Sequence, residues 1–239
     1  MSALPRLENA GMDAWQIRLF EQIDAANMPW ILALVEQCKH AFGPLLIDIV
    51  PSYTTVLVQF DILQLTPAQA AERLQKLLVQ LTPLPQGESQ LVKELPVWYH
   101  PSVGPDLIHV AKASGLTIPA VIQQHSEVIY QVFALGFAPG FAFMGSVPAQ
   151  LALPRLSSPR PQVIAGSVAI AERQTAVYPK TSPGGWNIIG RTSAKLFELQ
   201  SKKLSLLEVG DKVRFMPVTR NEFERLGGDT QPFAAEQYD

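Results

Sequence analysis

A single cysteine, Cys38, leaves this chain of 239 residues without an internal disulfide or a thiolate metal cluster. Cys38 sits inside an apolar helical pattern and reads as a small buried side chain. Basic clusters are missing as well, and the formal net charge is only −2. A chain without a concentrated positive field has no electrostatic footprint for nucleic acid, so no nucleic-acid partner is expected. No apolar run is long enough to cross a bilayer, and the beginning of the sequence lacks the charged, apolar and small-residue segments of a secretory signal. No membrane association is expected, and a cytoplasmic location is. The four histidines, His40, His100, His109 and His125, are never spaced as paired ligands, so no metal site is expected either. Acidic residues almost vanish between 128 and 197, where Glu172 stands alone.

Apolar residues make up 47% of the chain and charged ones 17%, the balance of a globular protein with a sizeable core. Much of the glycine and proline of the second half gathers into two runs. The first is Leu135 to Gly145 (LGFAPGFAFMG) and the second is Ser182 to Thr192 (SPGGWNIIGRT). Solvent turns usually set glycine or proline among small polar neighbours. Here the neighbours are Phe, Trp, Met and Ile, which points to loops that fold inward and line a pocket or an interface. Neither run fits GxxxxGK[ST], and no helix with a phosphate-binding lysine follows, which excludes a Walker-type nucleotide loop. Ser182 to Gly185 could form either a small anion-binding nest or a tight turn. Ser167 lacks the trailing glycine of a G-x-S-x-G elbow and reads as a strand residue whose hydroxyl meets backbone or ligand.

The periodicity divides the chain. Residues 13–20 alternate as a half-buried strand, and a helix follows from Asn27-Met28-Pro29 to Gly43-Pro44. Strands at 45–50 and 53–60 pair across Pro51-Ser52, Thr66-Pro67 opens a second helix, and a strand runs over 91–99. The order β-α-β-β-α-β predicts a ferredoxin-like N-terminal α/β domain over 1–88, with Pro83, Pro85 and Gly87 as the hinge and the strand at 91–99 open to either side of it. Two short helices near 104–113 and 117–125 follow. Strands are then expected at 128–135, 163–171, 175–178, 186–191, 196–199 and 212–216, before a helical cap at 219–226. Many short strands punctuated by Gly and Pro predict a compact β-barrel or sandwich over 89–239, and the whole is α+β.

Three arginines stand in or beside loops rather than on helical faces: Arg155, Arg160 and Arg191. Guanidinium suits bidentate capture of carboxylate or phosphate, and the local scarcity of acids brings that reading level with the other one, pairing with Asp or Glu at the surface. Gln174, Thr175 and Tyr178 add neutral hydrogen-bonding groups nearby. His125, at a predicted helix end, is either a structural histidine or a proton-transfer group.

At these residues the sequence becomes recognisable. LGFAPGFAFMG, SPRPQVIAGSVAIA, QTAVYP and SPGGWNIIGRT, with VGPDL at 103–107, HSEVIY at 125–130 and GDKVRF at 210–215, closely resemble the family of the 5-oxoprolinase B-subunit. That family is also called allophanate hydrolase subunit 1 or KipI-like, of the carboxyltransferase subdomain C and D type. The resemblance implies a cyclophilin-like barrel after an α/β domain. It implies ATP-dependent opening of 5-oxo-L-proline to L-glutamate in a heteromeric complex. The partners would be an A-subunit of LamB/YcsF type and a C-subunit of allophanate hydrolase subunit 2 type, with ATP and its Mg2+ shared within the complex. As implied site residues it gives His125, Arg155, Arg160 and Arg191 for catalysis, and Phe137, Pro139, Gly140, Ser167, Gln174, Thr175, Tyr178, Gly184, Gly185, Trp186 and Thr192 for substrate. Members of the family also include an inhibitor of a sensor histidine kinase, and an older family name implies an allophanate or urea amidohydrolase. The chain departs from the family pattern at Ile164, where proline is usual, and at Ala142-Phe143-Met144, where an aromatic-Leu pair is common.

Overall fold

A computed structural model describes residues 4–85 and 91–233. The chain divides into two compact units, Met1–Ser89 and Gln90–Asp239. The boundary expected near residue 88 lies outside the described residues.

The first unit is a sheet with two helices. Strand β1 (Arg6–Asn9) pairs antiparallel with β2 (Ala14–Arg18), and α1 (Met28–Phe42) follows. A hairpin, β3 (Leu46–Ser52) and β4 (Thr55–Phe60), leads to α2 (Pro67–Gln80). On β4 the odd and even positions separate cleanly: Val56, Val58 and Phe60 are buried while Thr55, Leu57 and Gln59 are half-buried. That alternation is what a sheet covered by helices on one face requires. Helix α1 packs on β3, β4 and α2 through Ile31, Leu34, Cys38 and Phe42. Burial pushes the Cys38 thiol up to about 12, so it is protonated and inert. Helix α2 starts at a capping box in which Thr66 and Gln69 satisfy each other's backbone.

The sheet order is β1-β2-β4-β3. The β-α-β-β-α-β order expected of a ferredoxin-like unit is not completed in the first unit, because the strand at 91–99 is not part of its sheet. The edge beside β2 is taken by β1, where the sequence predicts no strand, and the strand at 91–99 goes to the second unit. Element order alone cannot tell which sheet a terminal strand will join.

That strand, β5 (Val92–Trp98), is part of a closed seven-stranded barrel. After α3 (Leu107–Ser114) and α4 (Ile118–Ser126) come β6 (Tyr130–Leu135), β7 (Ala142–Gly145), β8 (Arg160–Val163), β9 (Ser167–Ala171) and β10 (Gln174–Val177). The last elements are β11 (Ser182–Gly184), β12 (Asn187–Thr192), β13 (Lys212–Pro217) and α5 (Arg220–Arg225). Around the barrel the order is β10-β7-β6-β13-β5-β12-β9, and β8 with β11 forms a separate two-stranded ribbon. Residues 196–199, expected as a strand, supply only an isolated bridge between Phe197 and Ser205. Strand β5 runs parallel to β13, from Val92 opposite Lys212 to Val97 opposite Pro217, and antiparallel to β12.

Every residue of β9 and β12 is buried, so both faces of this wall are covered. Val168, Ile170, Val177, Ile189, Val97, Met144 and Phe215 fill the inside, where Val110 of α3 and Val121 of α4 join the same cluster. Ala169, Ala171, Ala176 and Ile188 face outward beneath Phe141, Tyr178 and Trp186. Small side chains on the outer wall leave room for rings to lie against it. Among the described residues no helix is long and apolar enough to cross a membrane.

Candidate functional site

The two glycine-rich runs meet on this outer wall. The first supplies Phe137, Phe141 and Phe143, and the second supplies Trp186, with Tyr178 from the end of β10. Phe141 stands edge-on to Tyr178 at 5.3 Å and to Trp186 at 5.8 Å between ring centroids. Phe143 closes on Trp186 at 5.9 Å and Phe137 on Phe141 at 5.2 Å. Edge-to-face pairs of this kind contribute about 0.5–1.5 kcal/mol each beyond the area they bury.

Phe137 stands apart from the others. Its φ is +67°, in the left-handed region, and it is 65% exposed. A bulky residue held there costs stability that no core packing of its own repays, a pattern that gathers at binding sites. Pro139 beside it is exposed, and Gly140 turns back against the Leu196 backbone, so both shape the rim.

The three arginines take three different positions. Arg155 is exposed, its guanidinium carbon 5.8 Å from the Trp186 ring. The loop that carries it is fixed by Leu156 N–H donating to Gly185 O at 2.7 Å and by Asn187 Nδ2 donating to Pro154 O at 2.9 Å. Arg160 is buried and makes a bidentate pair with the equally buried Asp106, with Nη1 and Nη2 each 2.8 Å from a carboxylate oxygen. Asp106 also accepts the Ile188 N–H at 2.7 Å. Reasoning from the sequence missed Asp106. It stands outside the acid-poor window of 128–197 and reads as a helix N-cap, yet its side chain makes no cap bond to α3. Counting acids along the chain misjudges charge in space: Arg160 is neutralised, and its role is to tie β8 to β12.

Arg191, only 1% exposed, pairs opposite Trp98 on one side and Ser167 on the other. Its Nη1 donates to the carbonyls of Asp229 at 2.8 Å and Gln231 at 2.7 Å. Its Nε and Nη2, and the Ser167 hydroxyl, are buried without a partner among the described residues. Burial pushes the Arg191 pKa down, while the Asp229 charge opposes this. Phe233 lies with its ring 5.4 Å from the Arg191 guanidinium carbon and packs on the aromatic cluster of the wall.

Tyr178 lies between the groups. Burial raises its pKa first of all, and the Trp186 backbone N–H together with the Arg155 and Arg160 charges holds it back. Gly184 is required beneath it, because a Cβ there would collide with the Tyr178 hydroxyl. Ser182 to Gly184 form β11 and pair with β8, so this stretch is neither a nest nor a plain turn. Gly185 leads out of that ribbon into Trp186. Gln174 shares the outward phase of β10 with Ala176 and Tyr178.

His125 and Thr175 are elsewhere, in the barrel interior. The His125 ring lies on Phe215 at 4.7 Å, with Nδ1 2.8 Å from the Tyr99 hydroxyl and Nε2 3.0 Å from the Thr175 hydroxyl. Burial lowers its pKa to about 3, so the ring is neutral. Both nitrogens are occupied and no solvent reaches them, which makes this a structural histidine in geometry. Thr192 is also inward in function: its hydroxyl accepts the Ala194 N–H at 3.1 Å and its N–H reaches Gly166 O at 2.8 Å.

With this geometry in view, the comparisons are specific. Residues 5–207 match the family described as Carboxyltransferase domain, subdomain C and D, and the chain belongs to that family. Its relatives include the 5-oxoprolinase B-subunit of Bacillus subtilis (strain 168), 34% identical over 233 residues that cover 93% of this chain and 97% of the relative. The protein of the same name from Escherichia coli O157:H7 is 42% identical over 174 residues, 73% of this chain and 79% of the relative. Among solved structures, TTHA0988 superposes with a TM-score of 0.76 at 36% identity over 87% of this chain. This chain spans only 40% of TTHA0988.

Proposed function

We propose that this chain is the B-subunit of an ATP-dependent 5-oxoprolinase, working in the cytoplasm with its A- and C-subunits to open 5-oxo-L-proline to L-glutamate. The observation that carries the reading is the B. subtilis relative of that name, matched over 97% of its length. Neither the kinase-inhibitor nor the allophanate reading has an observation in its favour.

The chemistry fits a shared site. A lactam carbonyl is a poor electrophile, and ATP supplies an activating phosphoryl group when it is bound. Among the described residues no group of three His, Cys, Asp or Glu side chains is placed to hold a metal ion. ATP and its Mg2+ would be shared between this chain and the partner proteins. This chain's own part is recognition. Arg155 presents a positive charge beside Trp186, where a carboxylate or phosphoryl oxygen can be neutralised as charge develops. The rings of Phe137, Phe141 and Trp186 exclude water. Arg160 holds the ribbon, and Tyr178 and Gln174 shape the wall on which the substrate is oriented.

The test is ATP-dependent glutamate release by the three-component assembly with and without this chain. Release that is indifferent to the chain would refute the reading. Arg155→Ala should lower turnover about tenfold or more, equivalent to ~1.4 kcal/mol of transition-state stabilisation. Its denaturation midpoint should scarcely move, because an exposed cation over a ring contributes only about 0.5–1 kcal/mol. Undiminished turnover would remove Arg155 from the site.

A further inference from the structure

We propose that Arg191, with Ser167 opposite, is a carboxylate seat on the outer wall, and that Asp229–Phe233 is a strap whose backbone carbonyls occupy it until a carboxylate ligand displaces them. The identity of that ligand as 5-oxo-L-proline rests on the function proposed above; the strap itself does not.

Three observations converge. First, the guanidinium of Arg191 is almost wholly buried, yet only Nη1 is bonded, while Nε and Nη2 have no partner among the described residues. Nε and Nη2 form the edge of a guanidinium that takes a carboxylate through two parallel bonds. Second, the Ser167 hydroxyl is buried and unpartnered too, directly across the β9–β12 ladder from Arg191. Gly166 precedes it with φ +81°, and a Cβ there would meet the Thr192 carbonyl oxygen at 2.6 Å and Arg191 Cγ at 3.3 Å, so glycine lets the two strands close together beside the arginine. Native structures seldom leave buried donors of this strength unmet.

Third, what does cover Arg191 imitates a ligand. Two carbonyl oxygens, of Asp229 and Gln231, meet Nη1, and the Asp229 carboxylate stands 3.8 Å away. Beyond them Phe233 N–H donates to Ser102 O at 3.0 Å, and the Phe233 ring lies over the guanidinium and on the aromatic wall. Neutral carbonyls on one nitrogen are a weaker match for a full positive charge than a carboxylate on two. With the strap in place the free nitrogens have no access to solvent. A ligand reaches them only when Asp229–Phe233 lifts, so its apparent affinity is reduced by the fraction of chains in which the strap is closed.

The test reads occlusion and ligand separately. Arg191 modification by phenylglyoxal, mapped by mass spectrometry of the peptides, is compared in the full chain, in a chain ending at Gly228, and in full-length Phe233→Ala. The full chain should react slowly at Arg191, and the shortened chain about tenfold faster or more, with Phe233→Ala in between. Added 5-oxo-L-proline should protect Arg191 in all three, at about tenfold lower concentration in the shortened chain. Equal Arg191 reactivity in the full chain and in both variants would overturn the strap. Faster reaction on shortening, without protection by 5-oxo-L-proline or by acetate, would overturn the carboxylate seat. Protection by acetate alone would uphold seat and strap and count against 5-oxo-L-proline as the ligand.

Discussion

Arg160 and His125 show how much a residue's role depends on what surrounds it. Removing the Arg160 side chain strips the buried Asp106 carboxylate of both guanidinium bonds and leaves it the Ile188 N–H. Breaking one side of a buried pair typically costs about 3–5 kcal/mol, so Arg160→Ala should fall sharply in urea midpoint and lose activity through folding. The catalytic part that the family resemblance implies for Arg160 would instead mean a loss of activity with the fold intact. A variant as stable as the parent would restore that view and refute the tie between β8 and β12. His125 makes a different prediction. Its pKa falls from 6.5 to about 3 on burial, so the unfolded chain binds the extra proton between those values. Stability from this group is complete above pH 6.5 and is lost as pH drops toward 3. The slope is at most about 1.4 kcal/mol per pH unit. His125→Gln should flatten that part of a stability-versus-pH curve, and an unchanged slope would show that other groups set it. That Thr175 faces inward while Gln174 and Tyr178 face outward follows from strand phase, and phase is fixed only once β10 is paired with β7 and β9.

Among elements, the ribbon of β8 and β11 does most to make the candidate site. It packs Val163 against the outer wall and brings Gly184 under the Tyr178 hydroxyl. Gly184→Ala leaves no space for both groups, and overpacking of this kind costs about 1–3 kcal/mol. Thermal melting should drop, and Trp186 emission should shift to the red as the ribbon moves away from the wall. A melting temperature and spectrum equal to the parent's would mean that the contact is not tight. The helices are legible in the sequence, because α1, α2, α3 and α4 carry their apolar positions at helical spacing and their boundaries as Pro, Thr or Gly. Strands β1, β7, β8 and β11 are not. Each has three or four residues, too few for a period of two to declare itself, and β7 and β11 lie inside glycine-rich runs that resemble loops.

At the scale of the whole molecule, β5 decides where the second unit begins. It is hydrogen-bonded between β13 and β12 and closes that part of the barrel wall. A fragment starting at Gln90 should therefore unfold cooperatively as a domain with its own core. A fragment starting at His100, without β5, should stay unfolded or aggregate, since an opened barrel exposes two strand edges. Circular dichroism with denaturant titration distinguishes the two. Equal cooperativity would mean that β5 is dispensable to the barrel. The sequence by itself determined the class of the elements, the α+β character, the aromatic glycine-rich runs and the family, because local periodicity, turn chemistry and ordered motifs are properties of neighbours along the chain. Only the tertiary structure decided that β1 takes the sheet edge and β5 joins the barrel, and that Asp106 neutralises Arg160. It alone placed Arg191 beneath Asp229–Phe233 with two nitrogens unmet. Those outcomes depend on groups far apart in sequence, and burial, which sets the strength of every charge involved, exists only once the chain has closed on itself.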